Sequence, residues 1–182
     1  DKGARENLVT TSDLAVQHFL AGRLAALLPG SGFLCEEEDF ADTAHDDVWI
    51  IDPIDGTANS ARGNENCCIS VALVRGGELS MGVVYSPWRN EVYTAEKGRG
   101  AYCNGKPIHV SARTYERGFL FTALAAYHKE WAPVCSDIIR DIYRDCSDIR
   151  RTGSAAIELC LMAAGFAELY FEMHLLPWDY AA

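Results

Sequence analysis

The chain has 182 residues, 49% of them hydrophobic and 23% charged, and its formal net charge is −10. This length suffices for one large domain or two small lobes with a buried core, and the composition is not that of a disordered protein. The negative charge disfavours nucleic acid and anionic lipid as partners, and no apolar run approaches the ~20 residues of a membrane helix. We therefore expect no nucleic-acid and no membrane partner, and we expect no signal peptide.

The cysteines indicate a reducing compartment. Their number is odd, their spacing contains no C-x-x-C pair, and most lie inside apolar runs. This pattern is typical of reduced, buried thiols and not of a disulfide framework or a zinc site. A cytoplasmic location is therefore expected. The seven are Cys35, Cys67, Cys68, Cys103, Cys135, Cys146 and Cys160.

An amphipathic helix is the first predicted element. It follows Thr10–Ser12 and ends at the Pro29-Gly30 pair. A short apolar run at 32–35 comes next, followed by an exposed acidic loop at 39–47. A buried strand at 48–51 is expected to be broken by Pro53. The apolar face of the helix is predicted to consist of Val16, Leu20, Leu24 and Leu27.

Strand signals dominate the middle of the chain, and strands alternate with helices after it. Gly76-Gly77 and Asn104-Gly105 are the two predicted hairpin turns. The alternation that follows favours a layered α/β fold. The predicted strands are 67–75, 78–85, 91–96, 101–103, 107–110, 119–124, 148–150 and 167–171, and the predicted helices are 134–143 and 154–164.

The most informative segment runs from Trp49 to Thr57 and reads W-I-I-D-P-I-D-G-T. Asp52 and Asp55 end an apolar strand, and two neighbouring buried carboxylates repel unless a positive charge lies between them. A hard divalent cation with oxygen ligands meets that need. A plain strand followed by an Asp-Gly turn is the alternative for D-x-x-D alone, but it is improbable for the whole string.

Backbone groups of the same segment can add to such a site. Pro53 restricts the local backbone, so the Ile54 carbonyl could turn toward the same cation. Gly56 permits close approach of a ligand to the backbone, and the amides of Gly56 and Thr57 could receive an anion at a helix start.

Four motifs in order resemble those of the inositol monophosphatase family. D-P-I-D-G-T at 52–57 matches the family signature, and L-V-T-T-S-D at 8–13 resembles its early Val-Thr-x-x-Asp element. C-E-E at 35–37 stands where the family usually has Gly-Glu-Glu, and W-D-Y-A-A at 178–182 resembles its late Trp-Asp-x-Ala-Ala element. The resemblance covers nearly the whole chain.

The resemblance implies an αβαβα sandwich of the inositol monophosphatase and fructose-1,6-bisphosphatase type, truncated at both ends. Residues 1–182 would form a single catalytic domain. Its N-terminal α+β part, 1–125, would carry the metal site, and 126–182 would begin a C-terminal α/β part. A homodimer and inhibition by lithium are further implications.

Site roles also follow from the resemblance, position by position. It implies that the chain binds two or three Mg²⁺ ions and that Thr57 and Asp13, with Glu36, act in catalysis by orienting the attacking water. The implied metal ligands are Glu36, Asp52, Asp55, Asp179 and the Ile54 carbonyl. Gly56 and Thr57 would bind phosphate, Gly153, Ser154, Ala155 and Glu172 the sugar, and Lys2 would lie on a mobile loop. Glu37 is expected to support a ligand rather than to be one.

Several of these residues have ordinary structural alternatives. Ser12 and Asp13 could cap the first helix, and Asp179 could cap a helix starting at Tyr180. The run from Glu36 to Glu38 could be a solvated acidic face. A tight helix start would account equally well for residues 153–155, and His174 is expected to be a surface histidine.

The implied activity is Mg²⁺-dependent hydrolysis of a phosphate monoester of a small polyol or sugar, with inositol monophosphate as the first choice. Fructose 1,6-bisphosphate, histidinol phosphate and 3'-phosphoadenosine 5'-phosphate are alternatives, as is a non-catalytic metal-binding regulatory relative. The chain departs from the family at Cys35, which replaces a glycine, and at Asn59-Ser60-Ala61, which lacks an aromatic residue that is common there.

Overall fold

The computed structural model describes residues 11–37, 41–125 and 128–182. Most of the described strands form one large sheet with the order β2-β1-β3-β4-β5-β6-β7-β8. In this sheet β1 and β3 are parallel, and every other neighbouring pair is antiparallel. Its strands are β1 (Gly32–Cys35), β2 (Ala41–Asp42), β3 (Asp47–Asp55), β4 (Cys68–Arg75), β5 (Glu78–Ser86), β6 (Glu91–Glu96), β7 (Gly100–Cys103) and β8 (Lys106–Pro107).

A second, three-stranded parallel sheet follows, with the order β10-β9-β11. Its strands are β9 (Phe119–Thr122), β10 (Asp148–Arg150) and β11 (Leu169–Phe171). The described helices are α1 (Thr11–Leu27), α2 (Thr57–Ser60), α3 (Ala132–Tyr143), α4 (Ala155–Ala163) and α5 (Pro177–Tyr180), with short 3₁₀ turns at Tyr115–Arg117 and Lys129–Trp131.

Two apolar clusters hold these layers together. On one face of the large sheet, Leu20 and Leu24 of α1 pack against a cluster that includes Trp49 and Ile51 of β3. On the other face, Ile157 of α4 belongs to a cluster shared by both sheets. The helix α4 therefore lies between the sheets, and this layered α/β arrangement confirms the predicted fold class. The division into parts at residue 125 stays a prediction.

Pro53 does not break β3, contrary to the prediction. Asp52 of β3 pairs with Ser70 of β4, and the next pair is Asp55 with Cys68, so the register shifts between the two aspartates. Two residues of β3 thus lie opposite one residue of β4, which is a bulge, and a bulge tolerates a proline that cannot donate a hydrogen bond. The proline therefore lies within the strand, between the two carboxylates.

The first helix and several strand ends also differ from the predictions. Leu27 is 73% exposed, and Leu28 packs against the core cluster in its place. The buried residues of α1 are polar, Asp13 and Gln17, because this face points to other polar groups rather than only to the core. The predicted strand at 107–110 is limited to Lys106–Pro107. The strands predicted at 119–124 and 167–171 are shorter, Phe119–Thr122 and Leu169–Phe171.

Both hairpin turns are confirmed. Gly76 and Gly77 have φ values of 54° and 80°, and Asn104 and Gly105 have φ values of 49° and 74°. Two consecutive positive φ values match the right-handed twist of the flanking strands, as in a type I′ turn. The seven cysteines are free thiols; Cys35, Cys67, Cys68 and Cys135 are buried as expected, and the other three are half-buried. Among the described residues, no helix is both long and apolar enough to cross a membrane.

The chain end packs directly on β5, which leads to a stability prediction. A Cβ at Gly82 would lie 2.3 Å from the carbonyl carbon of Ala182 and 2.7 Å from its Cα. We expect Gly82→Ala to destabilise the protein by about 1–3 kcal/mol, because backbone must move to relieve the overlap. Gly22→Ala is the matched control, since nothing lies within 4 Å of its Cβ position in α1. That variant should be neutral or slightly more stable. Equal thermal midpoints for the two variants would contradict this packing.

Candidate functional site

Three carboxylates from two distant segments meet beside the bulge of β3. One oxygen each from Asp52, Asp55 and Asp179 can be chosen so that all lie within 4.8 Å of one another. Asp179 belongs to α5, which is fixed to the large sheet because Ser70 Oγ donates a 3.0 Å hydrogen bond to the Trp178 carbonyl. The structure thus brings together residues 127 positions apart in sequence, Asp52 and Asp179.

The electrostatics of this cluster are unfavourable without a cation. Burial, followed by the charges of Asp55 and Glu36, raises the pKa of Asp52 well above its usual range. Burial is also the main cause that raises the pKa of Glu36 to about 7, and the pKa of Asp179 to about 6. The Glu36 charge contributes to the raised pKa of Asp52, so this pair of carboxylates needs either a proton or a cation between its oxygens.

The donor set fits a hard divalent cation. Asp52 is 1% exposed, and its Oδ1 has no hydrogen-bond partner within the part of the chain that the structure describes. A buried, unpaired carboxylate oxygen is costly, and coordination of a metal ion removes that cost. Oxygen ligands alone favour Mg²⁺ or Ca²⁺ over softer metals. The residues present therefore fit Mg²⁺.

Asp55 is oriented by the start of α4. Its Oδ2 accepts hydrogen bonds from Ser154 Oγ at 2.6 Å and from the Ala156 N–H at 2.7 Å. Cys68 Sγ approaches the same oxygen at 3.9 Å. Burial still raises the pKa of Asp55, although the hydrogen bonds from Ser154 and Ala156 oppose the change. The carboxylate is thus held in a fixed direction beside Asp52.

A hydroxyl and a buried carboxylate form a second feature of the site. Thr57 Oγ1 lies 3.2 Å from Asp13 Oδ1 and 3.0 Å from the Ile54 carbonyl, and it can donate to either. Asp13 is 1% exposed, in the first turn of α1. The two residues are 44 positions apart, and the structure brings them into contact as the motif roles require.

Gly56 is required by the turn that carries these groups. Its φ is +86°, a conformation that residues with a side chain rarely adopt. A Cβ there would also lie 2.7 Å from the Asn66 carbonyl oxygen. A glycine at this position therefore permits the chain to pass from β3 into α2 at Thr57.

Two of the residues expected to contact a sugar are connected to the carboxylate cluster, Ser154 by a hydrogen bond and Glu172 by charge. Ser154 contacts Asp55 directly and caps α4, so the tight helix start and the site contact are both present. Glu172 follows β11 and accepts a 2.6 Å hydrogen bond from Tyr170 Oη. Burial raises the pKa of Glu172 to about 7, and the charges of Asp179 and Asp55 contribute to that increase. Lys2 lies outside the described residues.

The alternative of a helix cap at Asp179 proves partly correct. The Asp179 carboxylate does reach back along its helix, because the Leu176 N–H donates to its Oδ2 at 2.6 Å, but the residue lies inside α5 and not before a helix at Tyr180. His174, expected to be a surface histidine, is only partly exposed and has aromatic neighbours. The His174 ring is half-buried and lies 5.1 Å from the ring of His128 and 6.1 Å from that of Trp131.

Two polar residues around the site, Gln17 and Glu158, were not singled out in the sequence, and a third, Asn59, was named only for the missing aromatic residue after it. Gln17 of α1 makes a reciprocal pair with the Glu37 backbone, donating to its carbonyl at 3.0 Å and accepting its N–H at 3.1 Å. Asn59 and Glu158 bind the backbone at Thr152. The partners of Gln17 and Asn59 lie 20 and 93 positions away in sequence, and that of Glu158 lies six positions away. No local sequence pattern distinguishes these three residues from surface residues.

Comparisons with known proteins show which family the chain belongs to. The model of the "Inositol monophosphatase family" matches residues 1–182. The Nus factor SuhB of Escherichia coli K12 is 36% identical over all of this chain and 68% of its own length. An inositol monophosphatase from Anabaena has a TM-score of 0.89 at 31% identity, with 96% of this chain and 70% of that chain covered. An IMPase from Thermotoga maritima has a TM-score of 0.88 at 33% identity, with 100% and 68% covered. The chain belongs to the inositol monophosphatase family.

Proposed function

We propose that this chain carries the catalytic residues of a Mg²⁺-dependent phosphatase that hydrolyses phosphate monoesters of small polyols or sugars, with inositol monophosphate as the first candidate. The observation that supports this most is the cluster of three carboxylates, in which the buried Asp52 has an Oδ1 without a hydrogen-bond partner among the described residues. The family supports a phosphatase-type scaffold. The proposed ligands of two or three Mg²⁺ ions are Glu36, Asp52, Asp55, Asp179 and the Ile54 carbonyl.

Mg²⁺ bound there would acidify water and neutralise negative charge on the phosphate group. The Thr57–Asp13 pair is proposed to orient the attacking water. When Thr57 Oγ1 donates to Asp13, its oxygen lone pairs are left to accept a proton of that water. The buried Asp13 keeps the hydroxyl in this direction and competes with the Ile54 carbonyl for its proton.

Backbone and side-chain donors are proposed to hold the rest of the substrate. The amides of Gly56 and Thr57 would bind the phosphate. Gly153, Ser154 and Ala155 would contact the polyol with Glu172, whose carboxylate can accept hydrogen bonds from hydroxyl groups. Such contacts orient the ester for in-line attack.

Asp13→Asn tests the proposed role of the Thr57–Asp13 pair. We expect kcat on inositol 1-phosphate to fall by about 10²–10⁴-fold, because an amide is a weaker acceptor for the Thr57 proton and no longer carries charge. The Mg²⁺ concentration for half-maximal rate should change little, since Asp13 is not a proposed ligand. Asp46→Asn, at an exposed position, is the control. A kcat within a factor of about two of the parent would contradict the role.

A panel of phosphate esters at one Mg²⁺ concentration tests the substrate. It contains inositol 1-phosphate, fructose 1,6-bisphosphate, histidinol phosphate and 3'-phosphoadenosine 5'-phosphate. We expect the highest kcat/KM for inositol 1-phosphate. A higher value for any of the other three would replace the proposed substrate but retain the proposed chemistry.

A non-catalytic role is the second candidate, and one observation favours it. Relatives that are 36% identical over the whole chain carry the name Nus factor SuhB, which states no enzymatic activity. Normal Mg²⁺ binding without hydrolysis of any ester in the panel would support this candidate. Four further expectations stay predictions: the homodimer, lithium inhibition, the cytoplasmic location and the absence of nucleic-acid partners. Light scattering tests the homodimer.

A further inference from the structure

The peptide backbone at Thr152 is fixed on both sides by side chains outside the proposed ligand set. Its carbonyl accepts a 2.9 Å hydrogen bond from Asn59 Nδ2, and that nitrogen also donates to the Asn66 carbonyl at 2.7 Å. Its N–H donates to Glu158 Oε1, which also lies 3.4 Å from the Gly153 nitrogen as an acceptor. Asn59 of α2 and Glu158 of α4 thus hold one short loop between them.

This loop leads directly to the contact with Asp55. Ser154, two residues after Thr152, donates through Oγ to Asp55 Oδ2 at 2.6 Å. The same Oγ accepts the Ile157 N–H at 3.3 Å as the cap of α4. The position of the Thr152 backbone therefore determines where Ser154 meets a proposed metal ligand.

Close packing leaves this loop little freedom. Gly153 has a φ of +88°, and a Cβ there would lie 3.1 Å from Asn59 Nδ2. A Cβ at Gly56 would lie 3.3 Å from that of Ser154. Glu158 is 1% exposed, so its carboxylate is a buried group directed at backbone donors rather than at solvent. A buried carboxylate is costly unless it makes such hydrogen bonds.

We propose that Glu158 and Asn59 are positioning residues for the phosphatase site. They act through residues 152–154, holding Ser154 against Asp55 and the Gly153 backbone at the polyol side of the site. The inference rests on the proposed function for its kinetic consequences. Groups that orient metal ligands typically contribute about 10–100-fold to metal affinity or activity.

Kinetics of two variants at one position test this role. Glu158→Ala is expected to raise both the KM for inositol 1-phosphate and the half-saturating Mg²⁺ concentration by about tenfold. Glu158→Gln should restore most of both values, because its amide oxygen can still accept the Thr152 N–H. Leu161→Ala is the matched control on the same helix, since Leu161 is 7% exposed and packs in the core cluster. It should lower the thermal midpoint and leave both constants unchanged.

Hydrogen exchange in the metal-free protein gives a readout that needs no activity. Glu158→Ala and Asn59→Ala should each speed exchange in the peptide that spans 152–154, while Leu161→Ala should not do so selectively. The proposal is overturned if Glu158→Ala behaves like Leu161→Ala in KM, Mg²⁺ dependence and exchange at 152–154. If the parent protein hydrolyses no ester, the proposed function fails, and the exchange comparison alone still decides the positioning role.

Discussion

Asp55→Asn is expected to abolish Mg²⁺-dependent phosphate release, with a loss in kcat/KM of more than about 100-fold. Loss of a group that only orients a metal ligand already costs about 10–100-fold, and Asp55 is proposed as a ligand itself. Asparagine has nearly the same shape and can still accept from Ser154 Oγ and the Ala156 N–H. The fold should therefore survive while the charge is lost. Phosphate release over a range of Mg²⁺ concentrations measures the effect.

Asp47→Asn is the matched control for this experiment. Asp47 lies at the start of the same strand, where it pairs with Arg75 at 3.2 Å, and its side chain is 30% exposed. An exposed ion pair contributes little to stability, so this variant should retain activity. Near-normal turnover of Asp55→Asn would exclude Asp55 as a ligand. Equal losses in both variants would indicate damage to β3 rather than to the site.

The second large effect concerns stability and pH. Without metal, the protein should become more stable as the pH falls from about 8 to about 5, by on the order of 2–3 kcal/mol. The folded-state pKa values of Glu36 and Asp179, about 7 and about 6, lie above the usual values of 4.5 and 3.8. Above these raised values both states are ionised and the folded state bears the full penalty of buried, repelling charge. As the pH falls, the folded state takes up protons first and the penalty is relieved.

Thermal unfolding with and without Mg²⁺ at several pH values measures how stability depends on pH. Mg²⁺ should stabilise the protein most at high pH, where the carboxylates are ionised. With Mg²⁺ bound, the thermal midpoint should therefore change little between pH 5 and pH 8. Asp52→Asn should raise the thermal midpoint of the metal-free protein, because it removes a charge that is 1% exposed and lies beside Glu36 and Asp55. A metal-free midpoint that falls from pH 8 to pH 5 would contradict the account of the cluster.

The main metal-ligand candidates were predictable because they lie close together in the sequence. Asp52 and Asp55 stand three residues apart after an apolar run, and repulsion between buried carboxylates already calls for a cation. The two hairpin turns could also be predicted from the sequence, because glycine and asparagine are the residues that readily adopt consecutive positive φ values. The contact between Asp13 and Thr57 came from the family resemblance, since no local pattern connects residues 44 positions apart.

The predictions that were wrong concern residues whose conformation or burial depends on partners that are distant in sequence. Pro53 was expected to end β3, but the register shift opposite β4 accommodates it. Leu27 was expected on the buried face of α1, but it is 73% exposed, and Leu28, the residue after the helix, packs against the core cluster. Asn59 was named in the sequence only for the missing aromatic residue after it, yet its amide donates to a backbone carbonyl 93 positions away. Such partners cannot be identified from helical or strand periodicity.

The most direct test of the central claim is phosphate release from inositol 1-phosphate by the purified protein, with Mg²⁺ and with the metal removed by a chelator. We predict release that requires Mg²⁺ and returns when Mg²⁺ is restored. Release that persists unchanged without divalent metal would contradict the proposed role of the carboxylate cluster. No release under either condition, together with none from the other esters of the panel, would contradict the proposed phosphatase activity itself.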